Sequence, residues 1–187
     1  MGKFVVHIVV TLYLVTGTSC GITAADELVS REYKIKAAYL YNLIKFVNWP
    51  SSAKKQHKTE PPATKICVYG YNPFSNHLDK LTERTAKGLP IKVTYIDNLQ
   101  ADSKHALPGC HIVFISKSTP LQTSLLQAMS DQPLLTVGGH RNFLDDGGII
   151  GLVVDKNNVQ LQINLTQAKK LGFEISGNLL EIAKTVK

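Results

Sequence analysis

The alternation of β-rich and helical segments between residues 64 and 137 constrains the fold more than any other feature of the chain. Short runs rich in β-forming residues occur at Lys65–Tyr69, Ile91–Ile96, Cys110–Ile115 and Leu134–Val137. The run Cys110–Ile115 is almost continuously apolar, which is typical of a strand buried on both faces. Because segments of helical character separate these runs, the pattern predicts a parallel sheet flanked by helices.

Two of the separating segments have apolar residues at helical spacing. Helices are predicted over Pro73–Arg84 and over Pro120–Ser130, and Asn98–Leu107 is weakly helical. In each helix one apolar side would face the sheet.

An amphipathic helix is predicted over Arg31–Val47, ahead of the strands. Its apolar stripe, at spacings of three and four, consists of Tyr33, Ala37, Leu40, Ile44 and Val47. Ser30 is the predicted N-cap. Trp49 and Pro50 end the helix, because a proline disfavours helical backbone in the residue before it.

The C-terminal part of the chain has a different pattern. Two β-rich runs, Ile149–Val154 and Val159–Ile163, are separated by a polar segment whose Asn157 and Asn158 suit a hairpin turn. A last helix is predicted to begin at Ser176 or Asn178 and to end at Thr185. The predicted fold class is therefore a single α/β domain with a mostly parallel central sheet, a leading amphipathic helix and a C-terminal β-hairpin.

Residues 1–25 have the organisation of a Sec-type signal peptide. Lys3 precedes a 12-residue, almost wholly apolar stretch from Phe4 to Val15, and small residues follow before Asp26. A helix that spans a membrane needs about 20 apolar residues, so this stretch is too short for an anchor. We expect cleavage after Ala24 or Ala25, which leaves residues 26–187 as one exported domain in the periplasm. Cys20 leaves open a lipid-modified N-terminus.

The charge of the chain does not indicate a nucleic-acid partner. The formal net charge is +7, but the lysines are scattered, and the densest patch, Lys54–Lys58, lies in a polar stretch expected to be a solvated loop. Export also argues against nucleic acid as a partner. The sequence contains no G-x-S-x-G, no G-x-x-x-x-G-K and no H-E-x-x-H motif. We therefore expect no catalytic residues, no metal site and no cofactor.

One glycine-rich loop, Gly138–Gly148, follows a predicted strand. Backbone N–H groups in such a loop can cradle an anion. Alternatively, the two glycine pairs simply permit tight turns at either end of the loop. The adjacent carboxylates of Asp145 and Asp146 are expected to be solvated turn residues.

Cys67 and Cys110 are the cysteines that remain once the leader is removed. In an oxidising compartment a pair of this kind in a small domain is often bridged, and a bridge that closes about forty residues contributes roughly 3–4 kcal/mol. We expect this disulfide. The alternative is two buried free thiols, which behave as small apolar side chains.

The segment Tyr33–Pro50, with the sequence YKIKAAYLYNLIKFVNWP, resembles the opening signature of the YfiR family. The similarity continues, in the expected order, through Ile66–Gly70, Gly109–Ser116, Leu135–Val137, Phe143, Gly147–Ile150, Val159–Asn164, Ile175–Ser176 and Leu179–Ala183. It thus covers nearly the whole predicted mature chain. The opening signature is specific, whereas the later pieces carry weight only together.

The resemblance implies a small periplasmic α/β protein that is not an enzyme. The best understood relative restrains an inner-membrane diguanylate cyclase by binding its periplasmic region, and relief of this restraint raises cyclic di-GMP and favours biofilm growth. An outer-membrane lipoprotein with a peptidoglycan-binding domain can sequester that repressor, and the family tends to form dimers. Cys67 and Cys110 match family cysteine positions. The founding members carry a second cysteine pair that this chain lacks, so a redox switch based on that pair is not expected here.

Two kinds of binding site follow from these interpretations. A partner protein would contact aromatic residues of the leading helix and of its end, namely Tyr41, Phe46 and Trp49. Alternatively, the apolar stripe of this helix is mostly core. As an alternative function, a small ligand would bind in the crevice at the carboxyl ends of the parallel strands. The residues predicted to line that crevice are Tyr71, Asn72, Ser116, Lys117, His140, Arg141 and Asn142.

Overall fold

The computed structural model of the protein describes residues 24–56, 62–96, 107, 109–119 and 122–187. The predicted leader up to residue 23, including Cys20, lies outside the described residues. So do the weakly helical segment from residue 98 to 106 and the side chains of the basic patch Lys54–Lys58. Among the described residues, no helix combines the length and the apolar character needed to cross a membrane.

Helices and short strands alternate along the described chain. The helices are α1 (Ala24–Phe46), α2 (Ser51–Gln56), α3 (Gln122–Ala128), α4 (Leu165–Lys170) and α5 (Gly177–Glu181). The strands are β1 (Val47–Asn48), β2 (Thr64–Tyr69), β3 (Thr85–Ala86), β4 (Leu89–Ile96), β5 (Ile112–Ile115), β6 (Leu135–Gly138), β7 (Ile150–Asp155), β8 (Asn158–Ile163), β9 (Glu174–Ile175) and β10 (Thr185–Val186).

A mostly parallel sheet forms the centre of the domain. Its strand order is β10-β8-β7-β6-β5-β2-β4-β3, and the strands from β4 to β7 in this order all pair in parallel. The edge strand β3 is antiparallel to β4, and β7 is antiparallel to β8. A separate two-stranded sheet joins β1 to β9. The predicted α/β fold class is confirmed.

The predicted C-terminal hairpin is present as β7 and β8. Its turn residues, Lys156 and Asn157, both have positive φ angles, 45° and 63°. Two consecutive left-handed residues suit the type I′ turn that matches the twist of a hairpin. Asn157 tolerates this backbone better than most residues do, which accounts for the turn signal in the sequence.

Helix α1 lies across one face of the sheet, and its predicted apolar stripe is buried there. Tyr33, Leu40 and Val47 are among the stripe residues in the main core. The helix begins at Ala24, so the prediction that Ser30 is the N-cap is wrong. Asp26 lies in the first turn, where the helix dipole favours an acidic residue, so nothing in the chain requires a later start.

The helix predicted over Pro73–Arg84 does not form. The segment consists of turns and one 3-10 turn at Asp79–Leu81, because Ser75 takes a left-handed backbone with φ 51°. The Asn72 side chain also accepts a hydrogen bond from the Phe74 N–H at 2.9 Å, which favours a turn over a helix. The apolar residues nevertheless point inward as predicted: Phe74, Leu78 and Leu81 are buried.

The last predicted helix is shorter than its pattern indicated. Helix α5 ends at Glu181, and the chain then adds β10 to the main sheet, parallel to β8. The Lys184 N–H donates to the Leu161 carbonyl, and the Lys187 N–H donates to the Ile163 carbonyl. These ladder hydrogen bonds draw the C-terminal residues out of helical geometry.

Candidate functional site

The neighbouring strands β2, β5 and β6 end at one edge of the sheet, which we call the carboxyl edge. Tyr71, Ser116, Lys117 and His140 follow these strands, so the topology brings the predicted crevice residues to the same edge. They differ in accessibility, however. Tyr71 is 74% exposed, whereas Ser116 is buried.

A buried charge cluster lies at this edge and was missed by the sequence analysis. The Lys36 side chain, on α1, is fully buried, and its Nζ donates to Glu32 Oε1 at 2.5 Å. Lys117 Nζ donates to the same oxygen at 3.2 Å. The Lys36 ammonium also lies 4.9 Å from the centre of the Tyr33 ring, within the range of a cation–π contact. One carboxylate thus ties α1 to the loop after β5.

Burial and charge pairing act on these groups in opposite directions. Burial lowers the pKa of Lys36, and the hydrogen bond from Lys36 to Glu32 opposes part of this shift. Burial by itself would raise the pKa of Glu32, but Lys36 and Lys117 outweigh it and hold that pKa below its ordinary value. Lys36 therefore depends on Glu32 to stay protonated, whereas the ionised form of Glu32 is stabilised by two cations, Lys36 and Lys117.

The glycine-rich loop makes room for side chains of the protein itself. A Cβ on Gly139 would lie 2.7 Å from Lys36 Nζ, and a Cβ on Gly138 or Gly148 would lie 2.2 Å from the Phe143 ring. Of the predicted tight turns, the one at Gly147 has a left-handed backbone with φ 98°. The pattern therefore reflects close packing at three glycines and a turn at the fourth.

The space over Gly70, after β2, is also filled from within the protein. A Cβ there would lie 2.4 Å from Thr119 Oγ1, which donates a hydrogen bond to the Tyr69 carbonyl at 3.2 Å. Side chains of the protein thus occupy positions over Gly70, Gly138 and Gly139 at the carboxyl edge, where the alternative function would place a ligand.

The remaining predicted loop residues lie at the surface of this edge. His140 Nε2 is 2.8 Å from Asp146 Oδ2, and the His140 ring meets Phe143 edge-on at 5.1 Å. Arg141 and Asn142 are exposed. Asn72, after β2, is half-buried and forms the turn already described.

Of the predicted partner contacts, Trp49 and Phe46 lie at the opposite, amino-terminal edge of the sheet. The Trp49 indole N–H donates to the His111 carbonyl at 3.2 Å, and its ring meets Phe173 edge-on at 6.1 Å. Phe46 is half-buried against the core, and its carbonyl accepts from the Ser176 N–H. These contacts anchor both aromatic residues in the fold.

Trp49 borders a surface pocket of about 280 Å³, and Tyr41 borders a different, larger groove. The groove has a volume of about 430 Å³ and lies between α1 and the segment that follows β2. It is lined by Lys34, Ala37, Ala38, Tyr41, Asn42, His77, Lys80, Leu81 and Arg84. We call it the α1 groove. Of the three aromatic residues predicted to contact a partner, Tyr41 is the one that lines this opening.

The predicted disulfide joins Cys67, in β2, to Cys110, just before β5. The two Cα atoms are 5.9 Å apart, and the bridge closes a sequence separation of 43. Both residues are buried in a second apolar cluster, on the face of the sheet opposite to α1. The bridge thus ties neighbouring parallel strands together from within the core.

Within the described ranges of the chain, no group of three or more His, Cys, Asp or Glu side chains lies where it could hold a metal ion. Asp145 is largely exposed and pairs with Lys187 at 2.5 Å, in keeping with a solvated turn residue.

The missed pair Glu32 and Lys36 did have a signal in the sequence. The two residues stand four apart on a helix, with the acid first, which is the favourable arrangement for an ion pair. Lys36 also lies three residues after Tyr33 and four before Leu40, in the middle of the apolar stripe. A lysine at such a position must be paired if it is buried.

The fold alone does not identify the family to which the chain belongs, whereas comparison with protein families does. The profile of the YfiR/HmsC-like family matches residues 33–184. The chain belongs to the YfiR/HmsC-like family. The match begins at Tyr33 and therefore includes α1 from that residue to its end, both bridge cysteines and the C-terminal hairpin. No curated protein sequence matches this YfiR/HmsC-like protein.

Solved structures add information on the fold. A conserved domain protein from Vibrio cholerae O1 biovar El Tor aligns with a TM-score of 0.52 at 16% identity, over 72% of this chain and 57% of that chain. The ABC domain in complex with L-Trp from Streptococcus pneumonia aligns with a TM-score of 0.46 at 13% identity, over 73% and 60%. This chain thus spans about 60% of the length of these structures. The Vibrio similarity shows a shared fold.

Proposed function

We propose that this YfiR/HmsC-like protein is a periplasmic regulator that binds the periplasmic region of an inner-membrane diguanylate cyclase and restrains the synthesis of cyclic di-GMP. The observation that carries the proposal is the family match over residues 33–184, which covers every strand of the main sheet except the edge strand β10. The predicted signal peptide supports delivery to the periplasm.

Two features of the structure support a binding role over catalysis. The carboxyl edge, where open α/β sheets usually bind ligands, is filled by Lys36, Thr119 and Phe143. The polar groups of the buried charge cluster are paired with one another, so they serve to hold α1 on the sheet. The face of α1 that points away from the sheet is therefore the part of this helix that is left for a partner to contact. An outer-membrane peptidoglycan-binding lipoprotein and a second copy of the chain are further candidate partners from the family resemblance.

Deletion of the gene tests the proposal directly. Cyclic di-GMP is measured by mass spectrometry in wild-type cells, in the deletion strain and in the deletion strain complemented with the intact gene, with the candidate cyclase expressed in all three. We expect a higher level in the deletion strain and its return to the wild-type level on complementation. An unchanged level after deletion contradicts repression.

Two control strains make the result specific. A deletion strain whose cyclase has an inactivated catalytic domain should show no rise, because the proposed restraint acts through cyclase activity. Complementation with a gene that lacks codons 2–25 should fail, since the predicted export signal is then absent. Full restraint by that cytoplasmic form would exclude a periplasmic site of action.

A further inference from the structure

The α1 groove combines an apolar floor with a basic rim. Ala37 and Leu81 are buried beneath it. Lys34, on α1, and Lys80 and Arg84, on the segment after β2, are exposed at its sides. No aspartate or glutamate is among the described residues that line it.

These three cations have no acidic partner within the described part of the chain. None of them takes part in a salt bridge there, unlike Lys36, Lys117 and Lys187, which are all paired. Asp79, which lies next to Lys80 in sequence, instead accepts a hydrogen bond from the Tyr95 hydroxyl at 2.9 Å. The positive charge of the rim is therefore available to a ligand.

Tyr41 supplies an aromatic surface next to two cations, Arg84 of the rim and Lys45 on α1. The Arg84 guanidinium carbon is 5.5 Å from the centre of the Tyr41 ring, and Lys45 Nζ is 5.6 Å from it. The Tyr41 hydroxyl donates to the Thr85 carbonyl at 3.4 Å, which holds the ring against the far wall. A half-buried aromatic ring flanked by arginine has the composition of an interface anchor.

The cations are spread along the groove and do not converge on one point. Lys34 precedes Tyr41 by two helical turns, so at a rise of ~1.5 Å per residue it lies about 10 Å along the axis from the place where Arg84 meets the Tyr41 ring. A single phosphate or carboxylate is too small to reach both ends. An extended peptide rises about 3.3 Å per residue, so a segment of about four residues spans this length and can present more than one carboxylate along it.

We propose that the α1 groove binds an acidic segment of a partner protein, with carboxylates on Lys34, Lys80 and Arg84 and an apolar side chain over Ala37 and Leu81. The inference rests on the proposed function, because it names the surface and the partner chemistry through which restraint is exerted. An anionic membrane surface fits less well, since the groove is concave and a bilayer would reach its rim but not its floor.

A charge-reversed variant and a matched control test the groove in vitro. The groove variant is Lys34→Glu/Arg84→Glu. The control is Lys92→Glu/Lys184→Glu, which makes the same change of net charge at exposed residues away from the groove. Lys92 alternates with Ile91 and Val93 along β4 and so points away from the face that carries α1. Circular dichroism and thermal unfolding establish that both variants are folded.

The probe is a fluorescein-labelled peptide of alternating glutamate and leucine, followed by fluorescence anisotropy. We expect the groove variant to bind it about ten-fold more weakly than the wild type, and the control variant to bind like the wild type. Raising the salt concentration from about 0.01 M to about 1 M should abolish binding, since the Debye length falls from ~30 Å to ~3 Å.

Equal loss of peptide affinity in both variants overturns the proposal, as does displacement of the peptide by equimolar inorganic phosphate. Groove-dependent binding to phosphatidylglycerol vesicles without peptide binding would assign the surface to a membrane instead.

The same variants in cells separate the two proposals. If the deletion strain has raised cyclic di-GMP, we expect the control variant to restore restraint and the groove variant to fail at equal periplasmic abundance. Full restraint by the groove variant overturns the role of the groove and leaves the regulatory function standing. If deletion itself changes nothing, the proposed function fails, and the peptide measurements still decide whether the groove binds acidic segments.

Discussion

The shared carboxylate of Glu32 predicts an unequal response to removal of either partner of the buried ion pair. In the variant Glu32→Gln, the ammonium of Lys36 stays buried without a counter-charge. In Lys36→Met, a chain of similar length fills the same space, and Glu32 keeps Lys117 at 3.2 Å. The first change should therefore cost far more stability than the second, although both delete one charge of the same pair.

The magnitude follows from the burial of Lys36. Removing the partner of a buried charge typically costs about 3–5 kcal/mol. Deprotonation of Lys36 relieves the isolated charge, and at neutral pH it costs about 1.4 kcal/mol for each pH unit below its ordinary pKa, roughly 5 kcal/mol in all. We expect about 3–5 kcal/mol for Glu32→Gln. For Lys36→Met we expect about 1 kcal/mol or less, as for a well-packed apolar replacement.

Urea unfolding of both single variants and the double variant provides the assay. The double variant Glu32→Gln/Lys36→Met should be more stable than Glu32→Gln alone, because no unpaired charge remains. The pH dependence gives a second readout. Since the pKa of Lys36 is lowered in the folded state, the unfolded state binds more protons above neutral pH, and the stability of Glu32→Gln should rise toward pH 10.5. Equal costs for the two single variants, or no rescue in the double variant, would refute the reasoning.

Three further outcomes follow from contacts elsewhere in the domain. Replacing Cys67 and Cys110 together by alanine should lower the unfolding free energy by up to ~4 kcal/mol in non-reducing buffer, measured by urea unfolding. Alkylation before reduction should label neither cysteine of the native protein in mass spectrometry. Gly138→Ala should lower the melting temperature, at a cost of about 1–3 kcal/mol, because the added methyl overlaps the Phe143 ring; Phe143→Leu in the same chain should recover part of the loss. Burial lowers the pKa of His111, so its stabilising contribution is complete above pH 6.5 and is lost as the pH falls below that value; His111→Gln should flatten the unfolding free energy over this range.

The elements predicted correctly from periodicity are largely those whose apolar pattern fits a single type of secondary structure. The run Ile112–Ile115 is buried on both faces, so it fits a central parallel strand and little else. Over Pro73–Arg84, in contrast, apolar residues at spacings of three and four fit a helix and a series of turns equally well. The left-handed backbone of Ser75 decided between them, and serine carries no strong signal for it.

The candidate site was predicted in part. The order of strands and loops sufficed to place Tyr71, Lys117 and His140 at one edge of the sheet. It did not reveal that Lys36 and Phe143 fill that edge. The contact of Lys36 with Gly139 joins segments about one hundred residues apart, and the packing of Phe143 on Gly138 depends on the fold of a single loop. The α1 groove was missed for the same reason, since Arg84 and Tyr41 meet only across two separate elements.

By itself, the sequence determined the α/β class, the buried stripe of α1 and the hairpin, and it favoured the pairing of Cys67 with Cys110. Each of these follows from local periodicity, local turn chemistry or the scarcity of cysteine. Only the tertiary structure decided which polar groups are buried together. The glycines at 138 and 139 show why: their role is to leave space for side chains from elsewhere, and the identity of a neighbour in space is set by how the whole chain packs.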